Sequence, residues 1–478
     1  MTTSGSDSIE AGRYDLVVIG GGPAGEKAAV AAAFFGRRVA LVEAAAAGPG
    51  GATVHTGTLP SKTLRESALY LAGFRRRELY KSVREHFADR PAASDLTRRL
   101  ATVRSLQTQQ VLSNLRRHGV ELIAGRASFV DAHTVRVDDR LLHAEFVLVA
   151  TGSAPRRPPG FDFSDPEVFD SDTVLGLDRI PESLAIVGGG VVGTEYACVF
   201  ATLGAAITVI DAAPRLLGFL DEEISDALME AMRRQGIVLE LNDEVTGVQR
   251  RGNDLVMTLK SGATNVVDRV LVSAGRTGRI EGLNLDAVGV QRDDRGLIRV
   301  DRDYRTTCPN VFAAGDVIGR PALASASIEQ GRLAVGGMFG LTFPARDWST
   351  LPTGIYTIPE ACACGPTEAQ LIKDAVPYVV GRTLIRHNAR GQIIGDTDGF
   401  VKLIFHRETR RLLATHLICE RATELVHIGQ AVMRFGGGIE YFLETVMTYP
   451  SLAEAYKMAA YDALTELSRG GDRPPPLE

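Results

Sequence analysis

Three stretches of this chain carry residues whose types and spacing could do chemistry. The first is Gly20, Gly21, Gly22, Pro23, Ala24 and Gly25, which follows the β-branched run Tyr14 to Ile19 and opens a small-residue segment, Glu26 to Phe35. A strand-like run, Arg37 to Glu43, comes next and ends on an acid. Strand, GxGxxG, helix, and strand with a terminal acid is a pattern that binds a dinucleotide. Gly20 permits the tight turn, Gly22 lets backbone approach a pyrophosphate, and Gly25 lets the helix pack on the strand. The helix N-terminus then turns its partial positive charge toward the phosphates, and Glu43 stands where it can accept from a ribose hydroxyl.

The second stretch repeats the first. Leu184 to Val187 leads into Gly188, Gly189, Gly190, Val191, Val192 and Gly193, then a helical segment, then Ile207 to Asp211. Laid on the first unit it needs no gap: Gly36 falls on Gly204 and Glu43 on Asp211. The repetition points to two dinucleotide sites in one chain. A carboxylate at Asp211 accepts from a free 2′-hydroxyl and repels a 2′-phosphate, and Ala212 and Ala213 offer no guanidinium. Arg215 is close enough in sequence to help. The expectation is a second site that takes NADH more readily than NADPH.

The third stretch is Gly50 to Lys62, GGATVHTGTLPSK, a Gly-rich loop that runs into Pro60 and an amphipathic helix. Thr53 and Thr58 in this loop bear hydroxyls, which cannot take up two electrons by opening a disulfide. No thiol chemistry is expected of it.

The elements that position these stretches can be read around them. Each nucleotide unit closes on a strand ending in small residues, Phe146 to Ser153 (FVLVATGS) and Arg269 to Arg276 (RVLVSAGR), and a third such strand, Val311 to Asp316, ends in AAGD. Ligands of open α/β sheets sit at the carboxyl ends of strands, which makes Ala150, Thr151, Gly152, Gly275, Gly315 and Asp316 binding candidates. Pro155 to Pro159 is a Pro-rich crossing and a natural boundary. From about Trp348 the Gly-rich units stop. A β-leaning segment, Gly354 to Leu417, and helical patterns from Glu420 onward read as an α+β domain without a nucleotide fingerprint.

Length and composition set limits. At 478 residues the chain exceeds one ordinary core. Hydrophobic residues at 45% and charged residues at 23% suit a globular protein, and a net charge of -5 argues against a polyanionic partner. The arginine groups Arg75 to Arg77, Arg98 and Arg99, and Arg116 and Arg117 lie in helical-looking segments and read as solvated faces. Five scattered cysteines without a CxxC (Cys198, Cys308, Cys362, Cys364, Cys419) fit a reducing cytoplasm, and no metal site is expected. Met1 to Gly12 reads as a loose tail without the features of a signal peptide, and no apolar run is long enough to span a bilayer.

Two nucleotide units, ATGS, AGR, AAGD and a final α+β domain, in this order, resemble the flavoprotein disulfide reductases such as lipoamide dehydrogenase and glutathione reductase, over about Tyr14 to Arg469. The resemblance implies an α/β protein of two Rossmann-like domains and an α+β dimerisation domain: residues 13–153 and 277–347 for FAD, 154–276 for NAD(P), and 348–469 for the dimer, with tails at 1–12 and 470–478. It implies FAD at Gly20, Gly22, Pro23, Ala24, Gly25, Gly51, Thr53, Ala150, Thr151, Gly152, Gly315 and Ala324, with Glu43 on the adenosine ribose, Ala127 near the adenine and Asp316 on the ribitol. The nicotinamide nucleotide falls to Gly188, Gly190, Val191, Gly193, Glu195, Asp211, Val245 and Gly275.

Two of that family's parts are missing. Its loop reads GGTCxxxGCxPSK, and the two cysteines are here Thr53 and Thr58. Its C-terminal HPTxxE, whose histidine is the base for a thiol, reads Tyr449, Pro450, Ser451, Leu452, Ala453, Glu454. A tyrosine is a poor base near neutrality compared with histidine. Losing thiols and base together is coherent, because the base has no task without a thiol. YPSLAEAYKMAA and GTLPSKTLRE are most similar to one branch, the soluble pyridine nucleotide transhydrogenases, whose sequences read like NYPTMAEAYRVAA and GTIPSKALR; that branch usually keeps the first loop cysteine, and this chain does not. The resemblance implies hydride exchange between NADPH and NAD by a ping-pong scheme through FAD alone, in a homodimer. It places Lys62 beside the flavin and in a pair with Glu195, sets Thr58 against the ring, and brings Tyr449 and Glu454 from the partner subunit. An NAD(P)H dehydrogenase passing electrons to quinones, and a flavin-holding regulatory protein without turnover, are the alternatives.

Overall fold

A computed structural model describes residues 12–76, 92–344, 347–396 and 398–468. The tails expected at 1–12 and 470–478, apart from Gly12, and the side chains of Arg75 to Arg77 lie outside the described residues. The first apolar run forms the strand Gly12–Ile19, whose Leu16, Val17 and Val18 are fully buried, as a parallel strand covered on both faces requires. It pairs in parallel with Val39–Glu43 on one side and Arg140–Val149 on the other. Glu121–Ala124 extends the sheet beyond Val39–Glu43. Val311–Ala313, far along the chain, returns to pair with Arg140–Val149. The first sheet is thus built from two distant parts of the sequence.

The second unit forms its own parallel sheet of five strands, in the order Val238–Leu241, Ala206–Asp211, Ser183–Val187, Arg269–Val272, Val168–Asp170. The two glycine units match in register: Ile19 faces Val42 in one, Val187 faces Ile210 in the other. An antiparallel sheet, Val245–Arg251, Asp254–Leu259 and Thr264–Val267, buries Leu255, Met257 and Val267 with Ala185, Ile210 and Val270 of the parallel sheet. The helices Val191–Thr202 and Glu222–Arg234 bury Cys198, Phe200, Ile224 and Leu228 with Ile186 and Val209 of the same sheet.

Two expectations are corrected. The runs FVLVATGS and RVLVSAGR are not single strands: each leaves its sheet, at Val149 and Val272, and the next residues form a separate antiparallel ribbon, Ser153–Pro155 with Arg276–Gly278. The outward crossing and the return therefore lie side by side, where a hydrogen-bonded ladder satisfies their backbone. The stretch from Gly50 to Lys62 is largely helical, as Gly51–His55 and then Thr58–Arg76. Pro60 sits in the first turn of the longer helix, where a missing N–H has no partner to lose.

The last part is an antiparallel sheet, Thr353–Ile355, Glu360–Cys364, Leu412–Cys419, Phe400–His406, Tyr378–Leu384, whose core is shared with the helices Ala422–Arg434 and Glu454–Ser468. A buried ion cluster ties it to the second nucleotide unit. The Lys402 ammonium lies 2.6 Å from Asp221, 2.6 Å from Glu368 and 3.0 Å from Glu223, and Arg382 grips Glu223 with two donors. Arg98, Arg99, Arg116 and Arg117 are exposed on the helix Ala93–Arg117. Among the described residues, no helix is long and apolar enough to cross a membrane.

Candidate active site between two glycine turns

The first glycine turn is held by contacts that leave no room for side chains. Gly20 has φ +105°, and a Cβ on Gly25 would stand 1.9 Å from the Gly20 carbonyl oxygen, because the helix Pro23–Phe34 starts directly against the end of its strand. Gly22 is different: the nearest atom to a Cβ there is Gly51 Cα at 3.7 Å, an ordinary contact, at the N-cap of a helix whose first N–H groups suit a ligand's phosphates. The Glu43 carboxylate accepts from the backbone N–H of Gly21 at 2.9 Å and of Ala45 at 2.8 Å, which fixes it at the rim of the turn.

Around this turn the structure gathers the other residues read as a flavin site. Gly51 begins its short helix against Gly22, with Thr53 half-buried two residues on. Ala150 donates its N–H to Ile19 at 2.8 Å, and the Thr151 hydroxyl donates to the Arg279 carbonyl at 2.6 Å, beside Gly152. Gly315 donates to the Gln330 side chain at 2.8 Å, and the helix Ala324–Phe339 that carries Gln330 packs its Gly331 on Ala24. Asp316 accepts from the Ser153 hydroxyl at 2.8 Å, and Arg276 donates to that same hydroxyl at 2.8 Å. Ala127 is buried at the start of Ala127–Asp131. The N-terminus of the helix Pro23–Phe34, with Gly22 at no closer than van der Waals contact, and the carboxylates of Glu43 and Asp316 fit a dinucleotide with ribose and ribitol hydroxyls.

The second turn copies the first. Gly188 has φ +104°, and a Cβ on Gly193 would stand 1.9 Å from the Gly188 carbonyl oxygen. Asp211 accepts from Gly189 at 2.5 Å and from Ala213 at 2.7 Å. Gly190, which caps the helix opened by Val191, has nothing within 4 Å of where a Cβ would be, and the same holds at Gly275. Val245 is half-buried at the start of its strand. These residues fit a second dinucleotide.

Lys62 and Glu195 connect the two units. Lys62 Nζ stands 2.6 Å from Glu195 Oε2, with the carboxylate 7% exposed and the lysine 23%. The other Glu195 oxygen accepts from the backbone N–H of Tyr356 at 2.9 Å, and the Tyr356 ring lies under Lys62 Nζ, 4.7 Å from ammonium to ring centre. One helix of each nucleotide unit and the entry to the C-terminal sheet therefore meet at one ion pair. Burial pushes the Tyr356 phenol above its ordinary pKa, so it stays neutral beside the ammonium.

Among the described residues, Thr58, expected against the flavin ring, and Tyr449 and Glu454, expected from the partner subunit, make no side-chain hydrogen bond or ion pair with this pair within one chain. Thr58 is exposed at the start of its helix, Tyr449 is 69% exposed, and Glu454 opens the helix Glu454–Ser468. Among the described residues, no hydrogen bond or ion pair within one chain links Tyr449 or Glu454 to Lys62, Glu195 or Thr58. None of the five cysteines is in a disulfide and all are buried, and burial pushes the thiols of Cys362 and Cys419 up and that of Cys364 to about 12. The carboxylates of Asp221, Glu223 and Glu368 converge as metal ligands do, but around the Lys402 ammonium.

Sequence reasoning missed Tyr356, Ser153, Arg276 and Gln330. Arg276 belongs to the AGR motif and was open to such a reading. Tyr356 had no signal, because its link to Lys62 and Glu195 depends on where the third sheet begins.

A strand-glycine-helix unit repeated in register, an ion pair between the copies and a separate antiparallel domain define a class of two-nucleotide oxidoreductases. The chain belongs to the pyridine nucleotide-disulphide oxidoreductase family, whose sequence profile matches residues 14–331, while the family's dimerisation-domain profile matches residues 351–460. The soluble pyridine nucleotide transhydrogenase of Mycobacterium tuberculosis is 43% identical over 461 residues, covering 95% of this chain and 98% of that one. That of Pectobacterium atrosepticum is 41% identical over 462 residues, with the same coverage, 95% and 98%. Among solved structures, the HOCl-induced flavoprotein disulfide reductase RclA from Escherichia coli superposes with a TM-score of 0.86 at 28% identity, covering 94% of this chain and 99% of that one. LpdA from Mycobacterium tuberculosis gives 0.85 at 27% identity, covering 94% and 99%.

Proposed function

We propose that this protein transfers hydride from NADPH to NAD, or in reverse, through a bound FAD and without a redox disulfide. The observation that carries the proposal is the Lys62–Glu195 pair set between two dinucleotide turns, in a chain with threonines at 53 and 58 and no exposed thiol among the described residues. The names of the relatives at 41% and 43% identity support it. FAD, when bound, supplies a ring that takes a hydride and gives it back.

The protein's part is placement and charge. Gly22 and the helix behind it would hold the flavin pyrophosphate, Glu43 the adenosine ribose and Asp316 the ribitol. Gly190 and Asp211 would hold whichever nicotinamide nucleotide is present, so that donor and acceptor take turns in one site. Lys62 would stabilise the negative charge that hydride uptake adds near it, while Glu195 and the Tyr356 ring keep the ammonium in place. Residues 13–153 and 277–347 would form the flavin domain, 154–276 the nicotinamide domain and 348–469 the interface domain. The family's dimerisation profile and the exposed apolar side chains Val446, Tyr449, Met458 and Tyr461 support a homodimer in which Tyr449 and Glu454 serve the neighbouring subunit. Five cysteines without a disulfide favour the cytoplasm.

The test sets NADPH with thio-NAD against NADH with a quinone, using purified holoenzyme. Thio-NAD turnover is expected. Fast quinone reduction without it would overturn the proposal in favour of a dehydrogenase.

A further inference from the structure

One site that serves both nucleotides faces a conflict at the adenosine ribose. Asp211 accepts from a 2′-hydroxyl but repels a 2′-phosphate, and both of its oxygens are already fixed by backbone N–H groups at 2.5 and 2.7 Å, so it cannot swing away without breaking the turn. The segment after it folds back over the glycine turn. Ala213 donates to Asp211, and Leu216 Cδ2 lies 2.2 Å from where a Cβ on Gly189 would be. Arg215, adjacent to Leu216, is therefore at the rim of the adenosine subsite, and it is the only cation from Asp211 to Leu216.

Its guanidinium is engaged elsewhere. Arg215 NH1 stands 3.1 Å from Glu222, and its Nε and NH2 reach the two oxygens of Asp226 at 2.9 and 3.2 Å, both acids being on the helix Glu222–Arg234. Those carboxylates are 71% and 52% exposed, and the arginine 33%. The carboxylates are open to water and salt, which screen the pairs, although the two-donor grip on Asp226 holds the guanidinium more firmly than a single contact would. A 2′-phosphate carries close to two negative charges and matches the guanidinium fork.

We infer that Arg215 is the residue that admits the 2′-phosphate: it rests on Glu222 and Asp226 when NAD(H) is bound and leaves them for the phosphate of NADP(H). The inference rests on the reading that one turn takes both nucleotides. With Arg215 held back, Asp211 sets a preference for NADH; with Arg215 released, NADPH is tolerated. Glu222 and Asp226 thereby set the balance between the two without touching either.

Binding separates this from catalysis. Titration calorimetry of the holoenzyme with 2′,5′-ADP and with 5′-AMP reads the phosphate contact directly. Arg215→Ala is expected to weaken 2′,5′-ADP about tenfold, the loss of one charge-assisted contact, and to change 5′-AMP less than about twofold. The double variant Glu222→Gln, Asp226→Asn should tighten 2′,5′-ADP severalfold and leave 5′-AMP unchanged. An Arg215→Ala protein that binds both probes in the wild-type ratio would overturn the inference. If that variant binds neither, the double variant decides, and an unchanged ratio there overturns it equally. Variants that show these shifts, in a protein whose wild type does not turn over thio-NAD, would sink the proposed function and leave Arg215's role standing.

Discussion

At the first glycine turn, Gly51 lies against Gly22 and the helix Ala324–Phe339 packs on Ala24; at the second, neither Gly190 nor Gly275 has a neighbour within 4 Å of its Cβ position. The backbones are copies, down to the register of their strands and the carboxylate held by the second glycine's N–H. What differs comes from sequence far from either turn: residues 50–55 and 311–339 pack against the first, whereas the second is overlaid by its own following segment at Leu216. The local motif sets how a dinucleotide is gripped, and distant segments set whether it is kept. That fits a resident cofactor in one unit and an exchanging substrate in the other.

The comparison can be broken most severely at the anchor of the second unit. Lys402→Met leaves Asp221 and Glu368 buried without their ammonium and Glu223 with Arg382 alone, and should cost about 3–5 kcal/mol in urea unfolding at neutral pH. Burial alone would raise the pKa of Glu223, but the Arg382 hydrogen bonds and the Lys402 charge outweigh it and hold it down at about 2. The folded pKa lies below the unfolded one, so this stabilisation is complete above the model-peptide value of 4.5 and is lost as pH falls toward about 2. Wild-type stability should fall across that window, and the variant's should fall less.

Lys62→Met should leave the flavin bound and slow its reduction by NADH on the order of 100-fold, the effect of removing one preorganised charge. Stopped-flow absorbance reads both at once, and unchanged rates would remove Lys62 from the chemistry. The matched substitutions Gly25→Ala and Gly193→Ala each push a methyl onto a carbonyl oxygen, at a cost of about 1–3 kcal/mol. The first should lower flavin content per chain; the second should leave the protein yellow and weaken 5′-AMP binding. A loss of flavin from both would show the two turns to be less independent than their surroundings indicate. Smallest is Tyr356→Leu, which removes the ring under Lys62 and should slow flavin reduction by an amount equivalent to about 0.5–2 kcal/mol, with Tyr356→Phe close to wild type.

Both glycine turns, their acids and the strand ends at Ala150, Gly275 and Asp316 were legible in the sequence, because each is a local pattern that backbone sterics enforce. The Lys62–Glu195 pair was legible only through resemblance, since nothing local joins positions so far apart. Tyr356, the Lys402 cluster and the partners of Arg215 were not legible. Each depends on how one sheet or helix docks on another, and a lysine or tyrosine in a strand carries no mark of the partner it will meet. The helix at Gly51–His55 was hidden for a related reason, its glycines reading as a loop although Gly51 is needed for contact with Gly22.

The central claim is that electrons are held on flavin alone. An anaerobic dithionite titration of the purified holoenzyme counts them directly. Full reduction should take two electrons per flavin, with no change when the NADH-reduced enzyme has first been alkylated and reoxidised. Uptake of four electrons per flavin, falling to two after alkylation of the reduced enzyme, would reveal a working disulfide and contradict the claim.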